Sequence, residues 1–539
     1  MKKLTLLLAF GASIAGMQAQ TEVWDGVTIV EHMYTQKISD NGVWAVGSSP
    51  DGGTITYNIV TGMPVYYPNG DYGRGHVVSN NGWVVGCEMI EDQASRAVVM
   101  SEGKMWYPSV FPKGASSNLH SITPDGSRVC GVVGGTSRQY DNLPIYCDID
   151  ADGNFREIQY LPFPDTTFLG NRPQYCSATW ISSDGKTIAG QVIDGRGFIV
   201  YPVLYKQAAD GSWSWSTPSE KLFNPKNLPI PDPIGEMEDV FPDVPYPEIQ
   251  DFMTAAEYAK FLLADEPYDR LDEFMDEDRM NEYYMAVDRY IEAQDEYMQM
   301  FDEYDRQYWD IFDSSVFFWR NAMTLSSDGK WLASSAEVDD MSDPMNPVQH
   351  YIPYLCNLET GEWVKFGDGK HNYYTNQVLP GGVAVVNSMA GTLPASTYLY
   401  FASTGNFVSL YEFINENESE YGAWYKKYMT GDIIVGEGNN GYVYAEDVTI
   451  TGQAAISQDF SVIAGGSDGY VLDKDMYFTY IFNGLEGGVE SIETEMPVDG
   501  VYRVFNLQGV NVLNTKDASE VNTLPAGIYI VNGKKVYLR

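Results

Sequence analysis

The chain has 539 residues, 44% of them hydrophobic and 14% aromatic, with 51 glycines. That composition is globular and excludes wholesale disorder or a collagen-like repeat. With 33 Lys and Arg against 74 Asp and Glu, the net charge of −41 argues against nucleic-acid binding and attachment to anionic lipid.

In chain order, the first segment has the three parts of a secretory signal. Lys2 and Lys3 form a positive start, Leu4 to Ala15 an apolar run, and Ala19 ends a small-residue stretch. That run is too short to span a bilayer, and no later stretch approaches the ~20 apolar residues a span needs. No cysteine precedes Cys87, which argues against an amino-terminal lipid anchor. The expectation is a signal peptide over 1–19 and an exported, soluble mature chain without a transmembrane segment.

One short phrase then returns seven times. It reads Ile38-Ser-Asp-Asn-Gly-Val-Trp-Ala-Val-Gly47, then starts again at Val78, Ile122, Ile181, Leu325, Val378 (degenerate) and Ile456. Each copy makes physical sense as a strand end, a turn and a new strand. Asp-Gly or Asn-Gly supplies the turn, and the β-branched run ending in Gly is a buried strand whose glycine permits close backbone approach. A second phrase follows the first six copies: an apolar strand, a Gly turn and an aromatic strand, as in Ala97 to Tyr107 and Pro353 to Trp363. Two hairpins per repeat are the mark of a four-stranded propeller blade. The chain is thus expected to be mainly β, a seven-bladed β-propeller over 20–486. Val23 to Met33 would close the ring, and the gap from Val378 to Ile456 leaves room for an eighth blade around Ile433 to Tyr444. The five cysteines are odd in number and contain no CxxC pair; Cys87, Cys130, Cys147 and Cys356 read as small buried hydrophobes.

The unit resembles the HAF-type extracellular repeat and related bacterial propeller repeats, in which an ISxDGxxVAG phrase precedes an aromatic hairpin. The resemblance covers most of residues 37 to 483 and implies the fold, not an activity.

Between the fourth and fifth copies lies an acidic α-helical insertion, residues 223–320. Thr254-Ala-Ala-Glu257 is a capping box opening a helix through about Ala264. From Tyr284 a heptad seam runs through Val287, Ile291, Met298, Phe301, Tyr308 and Phe312, broken at Gln294 and Asp305. Residues 236 to 313 hold 25 acidic and 5 basic side chains, a net of −20, about half the charge of the protein. Two readings stand: a helical hairpin with its Tyr and Met stripe buried and its acids solvated, or a partner-binding arm whose seam meets another chain.

The tail, residues 489–539, alternates like a small β module, with Val501 to Val510 as a strand and Leu524 to Arg539 as a hairpin around Asn532-Gly533. Its VFNLQG and LPAGIYIV strands resemble the type A sorting domain of the Bacteroidota type IX secretion system, though the usual Pro-Asn-Pro opening strand is absent. That resemblance implies a small β-sandwich, engagement of the secretion machinery, and passage through the periplasm to a secreted or outer-surface location.

Candidate sites are few. Asp148, Asp150 and Asp152 have the one-three-five spacing of a calcium loop, but Arg156 and Gln159 stand where further ligands belong. The same turn recurs without a carboxylate cluster at Ser101, Ala209 and Glu359, so an ordinary hairpin is favoured and no other cofactor is indicated. His76 and His120 stand two residues before their repeat phrases and are expected at equivalent places, where they would line a central channel. Trp106, Trp213 and Trp363 recur with the repeat and are read as blade packing. No GxSxG, HExxH, P-loop or Rossmann phrase occurs. The favoured function is a binding or adhesion module for a protein or glycan. The alternative is a hydrolase or lyase acting on glycan or peptide at the channel mouth, which requires several carboxylates and a histidine to converge there.

Overall fold

The repeat phrase builds its turn from side chains. In the first copy Ser39 Oγ donates to Asn41 Oδ1 (2.7 Å), Trp44 N donates back to Ser39 Oγ (3.0 Å), and Gly42 takes φ +67°. The same bonds recur at Thr123–Asp125, Ser182–Asp184, Ser326–Asp328 and Ser457–Asp459. The hydroxyl and the carboxylate or amide satisfy one another and the turn backbone, so the phrase needs both. The last copy departs at one place: Phe460 occupies the glycine position at φ +62°.

The computed structural model describes residues 19–485 and 501–538, apart from short stretches of which the longer are 69–73, 90–94, 135–141, 165–172, 194–199, 341–347, 389–396 and 430–450. The expected signal segment lies almost wholly outside the described residues, as does the position of an eighth blade. No helix among the described residues is long and apolar enough to cross a membrane. The chain divides into two units, Lys221–Val316 and the remainder.

The larger unit is mainly β and propeller-like. Runs of four antiparallel strands follow the chain from the innermost strand outward, as in Tyr34–Ile38, Trp44–Ser48, Thr54–Asn58 and Met63–Tyr67. Two such runs join into one eight-stranded sheet through the parallel pair Asn142↔Tyr175. The last run is completed by the beginning of the chain: Val27–Glu31 pairs with Lys474–Asn483, and Thr21–Trp24 adds beyond it. Apolar faces of neighbouring sheets fill the space between them; Ile38, Ala45, Ile55 and Tyr57 of one pack with Val30, Ala455, Val462 and Ile481 of the next. All five cysteines are free and buried. Trp106 packs edge-on to Trp83, Trp213 lies against Tyr146, and Trp363 stacks on Phe318.

A bulge explains the glycine that ends the phrase. The innermost strand slips register between Thr35 and Lys37, Gly75 and Val77, Leu119 and Ser121, and Ala178 and Trp180. The residue just before the slip pairs with the terminal glycine: Thr35↔Gly47, Leu119↔Gly131 and Ala178↔Gly190. A Cβ on Gly131 would stand 2.0 Å from the Asn118 carbonyl oxygen, and one on Gly190 1.7 Å from that of Ser177. At these two positions the close carbonyl leaves no room for a side chain, whereas in the sixth run Thr375, at the same slip, pairs with Val386.

The tail forms one four-stranded antiparallel sheet, Asn511–Thr515, Tyr502–Asn506, Gly527–Val531 and Lys534–Leu538, with the helical turn Ala518–Val521. Among the described residues this is a single sheet, where a two-layered sandwich was expected.

The smaller unit holds helix α1 (Ala255–Phe261), opened by the expected capping box, and helix α2 (Glu277–Ser314). At 38 residues α2 is about 57 Å long. Ile249, Phe261, Leu271 and Met275 form a small core with Tyr258, Phe274 and Tyr283. The unit is therefore one long helix braced by short turns, where a hairpin of two helices was one of the expectations.

Candidate functional site

The innermost strands leave a cavity of about 70 Å³ among them. Each four-stranded run contributes to its wall: Lys37 and Asp40, Val77, Ser121 and Pro124, Trp180 and Ser183, Ser327, Gln377, and Gln458. Backbone bonds between turns tie the rim, with Asn80 N on Pro124 O (2.8 Å), Ser183 N on Ser327 O (2.7 Å) and Gln458 N on Asp40 O (3.2 Å).

Lys37 crosses this space. Its Nζ donates to the carbonyl oxygen (2.5 Å) and Oδ1 (2.8 Å) of Asn376 and lies 5.1 Å from the Trp180 ring centroid. Burial pushes the amine down to about 7. Asp40 is pushed up to about 6 by burial, opposed by a weak 3.5 Å bond from Ser183 Oγ. Gln377 closes a reciprocal pair with the Ile456 backbone, and Gln458 Nε2 is buried without a hydrogen-bond partner. The cavity thus holds one cation, one carboxylate and an aromatic face, and it is crossed by packed side chains.

His120 is half-buried at the bulge of its strand, and His76 occupies the same bulge position, its side chain outside the described residues. The shared position was legible in the sequence; among the described side chains His120 does not line the cavity, and that of His76 lies outside them. A bulge re-aims the residue it carries, and the repeat spacing alone does not reveal a bulge.

Asp148, Asp150 and Asp152 do not converge. Asp148 pairs with Arg128 (2.5 Å), and Asp150 Oδ1 accepts from the backbone N–H of Asp152 and Asn154. No cluster able to hold a metal ion is present among the described residues.

The expected arm is split by the fold. Tyr308 is buried and Val287 half-buried, whereas Tyr284, Ile291, Met298 and Phe301 are exposed; the Phe312 side chain lies outside the described residues. The packed stripe is displaced by one residue, at Tyr283, Tyr290, Tyr297 and Tyr304. A segment holding two short helical turns, Met237–Val240 and Ile249–Phe252, runs antiparallel to it: Phe252 meets Tyr283, Tyr246 meets Tyr290, and Gly235 O accepts from Tyr297 OH at 3.1 Å. Four tyrosines at a spacing of seven were the available signal for the buried side.

A second cavity, of about 260 Å³, was not visible in the sequence. His350, Ile352, Phe366, His371 and Tyr373 line it, and His371 Nδ1 is hydrogen-bonded to Asp368. These residues approach only because the strands on either side pair.

No family model matches the chain, and no curated protein matches it. Among solved structures it is similar to an oligogalacturonate lyase from Vibrio parahaemolyticus, with 9% identity over 86% of this chain and 96% of that one and a TM-score of 0.41. It is also similar to the β-propeller domain of the Trilobed protease from Pyrococcus furiosus (8% identity, 84% and 96% covered, TM-score 0.38). A puromycin-hydrolyzing peptidase from Mycobacterium tuberculosis gives 12% identity, 90% and 57% coverage and a TM-score of 0.39. All three scores lie below 0.5, and the activities in those names belong to those proteins.

Proposed function

We propose that the protein is a secreted or outer-surface propeller of seven blades that works as a binding or adhesion module. On this reading residues 1–19 direct export to the periplasm, the 489–539 module engages a type IX-like secretion route, and the acidic insertion offers a contact surface. The observation that carries it is the central cavity. Among the described residues Asp40 is its one lining carboxylate, no histidine is among its lining side chains, and Lys37 bound to Asn376 spans it. Acid–base cleavage of glycans needs a second positioned carboxylate or its equivalent. The test compares the full chain with a variant lacking residues 248–313 for retention on intact cells and for turnover of glycan and peptide panels. Retention that falls with the deletion, without turnover, supports the reading; turnover at ordinary enzyme rates overturns it.

A second reading, a hydrolase or lyase, draws its support from the His371–Asp368 pair beside the 260 Å³ cavity, since a carboxylate-oriented imidazole serves as a general base. Under that reading His371→Ala abolishes any turnover detected, while Lys37→Met leaves it.

A further inference from the structure

Helix α2 carries a second ladder beside its packed tyrosines. Tyr284, Ile291 and Met298 recur at the same interval of seven and are 47%, 47% and 49% exposed. Asp288, Asp295 and Asp302 each follow one of them by four residues, all exposed. Taken together, Tyr284, Asp288, Ile291, Asp295, Met298 and Asp302 step by four and three along one ridge, continuing through Asp305 to the exposed Trp309. Alternating steps of four and three are the seam of a coiled coil, in which a partner helix inserts its side chains between those of the ridge. The three arginines of the helix are engaged elsewhere: Arg279 binds Glu257 and Asp276, Arg289 Nε donates to the Met285 carbonyl oxygen (3.3 Å), and Arg306 binds Glu303 and Asp310. No ion pair involves Asp288, Asp295 or Asp302 among the described residues.

We propose that this ridge is the docking site for a basic amphipathic α-helix of another protein. The partner's apolar residues would cover Tyr284, Ile291 and Met298, and its Lys or Arg side chains would face Asp288, Asp295 and Asp302. The proposal rests on the binding-module reading and names the chemistry of the partner. Charge selects the occupant. Residues 236 to 313 carry a net of −20, so a second copy brings like charge against like, and anionic lipid or nucleic acid is repelled in the same way. A helix alternating apolar and basic residues supplies both the missing apolar cover and the missing cations.

The test uses the full chain and two synthetic four-heptad helices, one with Leu and Lys at its two seam positions and one with Glu replacing Lys. Fluorescence anisotropy of the labelled peptides measures affinity. The Lys helix should bind and weaken by about tenfold or more as salt rises, because the Debye length shrinks to about 3 Å at 1 M; the Glu helix should not bind. The triple variant Asp288→Asn, Asp295→Asn, Asp302→Asn should weaken the Lys helix by roughly tenfold, and Met298→Gln should weaken it independently. Both variants change exposed side chains, so an unchanged circular dichroism spectrum establishes that α2 still forms. Equal binding of the two peptides, or indifference to the triple variant, overturns the proposal. So does self-association of the full chain that Met298→Gln abolishes. Failure of the Lys helix to bind overturns this partner chemistry alone; the binding-module reading stands or falls on the cell-retention and turnover test.

Discussion

Lys37 Nζ donates to Asn376 Oδ1 at 2.8 Å, joining the innermost strand of the first repeat to that of the sixth across the central cavity. The amine is held by amide oxygens and an aromatic face and not by a carboxylate, so burial lowers its proton affinity with little to oppose it. With the folded pKa at about 7 and the unfolded value near 10.5, the unfolded chain binds more protons between those limits. Stability therefore rises with pH from about 7 to 10.5. Urea midpoints of wild type and Lys37→Met, taken at several pH values across this window, should show that rise in the wild type and a flatter profile in the variant.

Asp40 behaves in the opposite sense. Its folded pKa is raised to about 6 from 3.8, so its contribution is present below pH 3.8 and is lost as pH rises through 6. Asp40→Asn should remove that loss, making the variant more stable than wild type at pH 7 and narrowing the difference near pH 4. Thermal unfolding at the two pH values checks it.

Phe460 sits where six other copies place a glycine at positive φ, and it is buried against Phe413 at 5.8 Å between ring centroids. Left-handed backbone costs a non-glycine residue about 1–2 kcal/mol. Deleting a buried phenylalanine costs about 3–5 kcal/mol. Packing therefore wins, and Phe460→Gly should destabilise by about 2 kcal/mol net, read from the urea midpoint with an unchanged m-value.

Gly190→Ala tests the bulge. Its new Cβ has to displace the Ser177 carbonyl oxygen, which belongs to backbone, so a loss of about 2–3 kcal/mol is expected. Gly235→Ala meets its nearest atom at 3.4 Å, an ordinary contact, and should be close to neutral in the same assay.

In the helical unit Arg279 grips Glu257 with two bonds, 2.7 and 3.0 Å, and its hydrogen bonds, with those from Thr254, hold Glu257 down to about 2. That depression stabilises the fold above the unfolded value of 4.5 and is lost as pH falls through 2. Arg279→Met should raise the pH at which helical ellipticity begins to fall during acid titration.

The repeat was legible because its turn chemistry and its glycine are local requirements, and Asn41, Gly42 and Gly47 serve in the structure as their types suggest. The capping box at Thr254 and Glu257 was legible for the same reason. The face of α2 was not. Tyr283 and Tyr284 are adjacent and each starts a spacing of seven, so periodicity admits two seams, and the choice is made by Phe252, Tyr246 and Gly235 from a segment far along the chain. His76 and His120 share a bulge position, as read, but the bulge itself leaves no mark in the repeat spacing. Lys37 and Asn376 carry no motif; their partnership exists only because the fold brings two strands 339 positions apart to one axis.

The pairing of Val27–Glu31 with Lys474–Asn483 sets the order of assembly. Thr35 and Thr479, hydrogen-bonded beside that junction, are 444 residues apart. Closing so long a chain segment costs about 5 kcal/mol of configurational entropy, and none of the contacts that offset it exists until the last strands have been synthesised. The final seam is thus a late latch, and a nascent chain remains unlatched throughout translation. The sheet at this seam cannot be completed from a partial set of strands, because its two halves are brought together across 444 positions of chain.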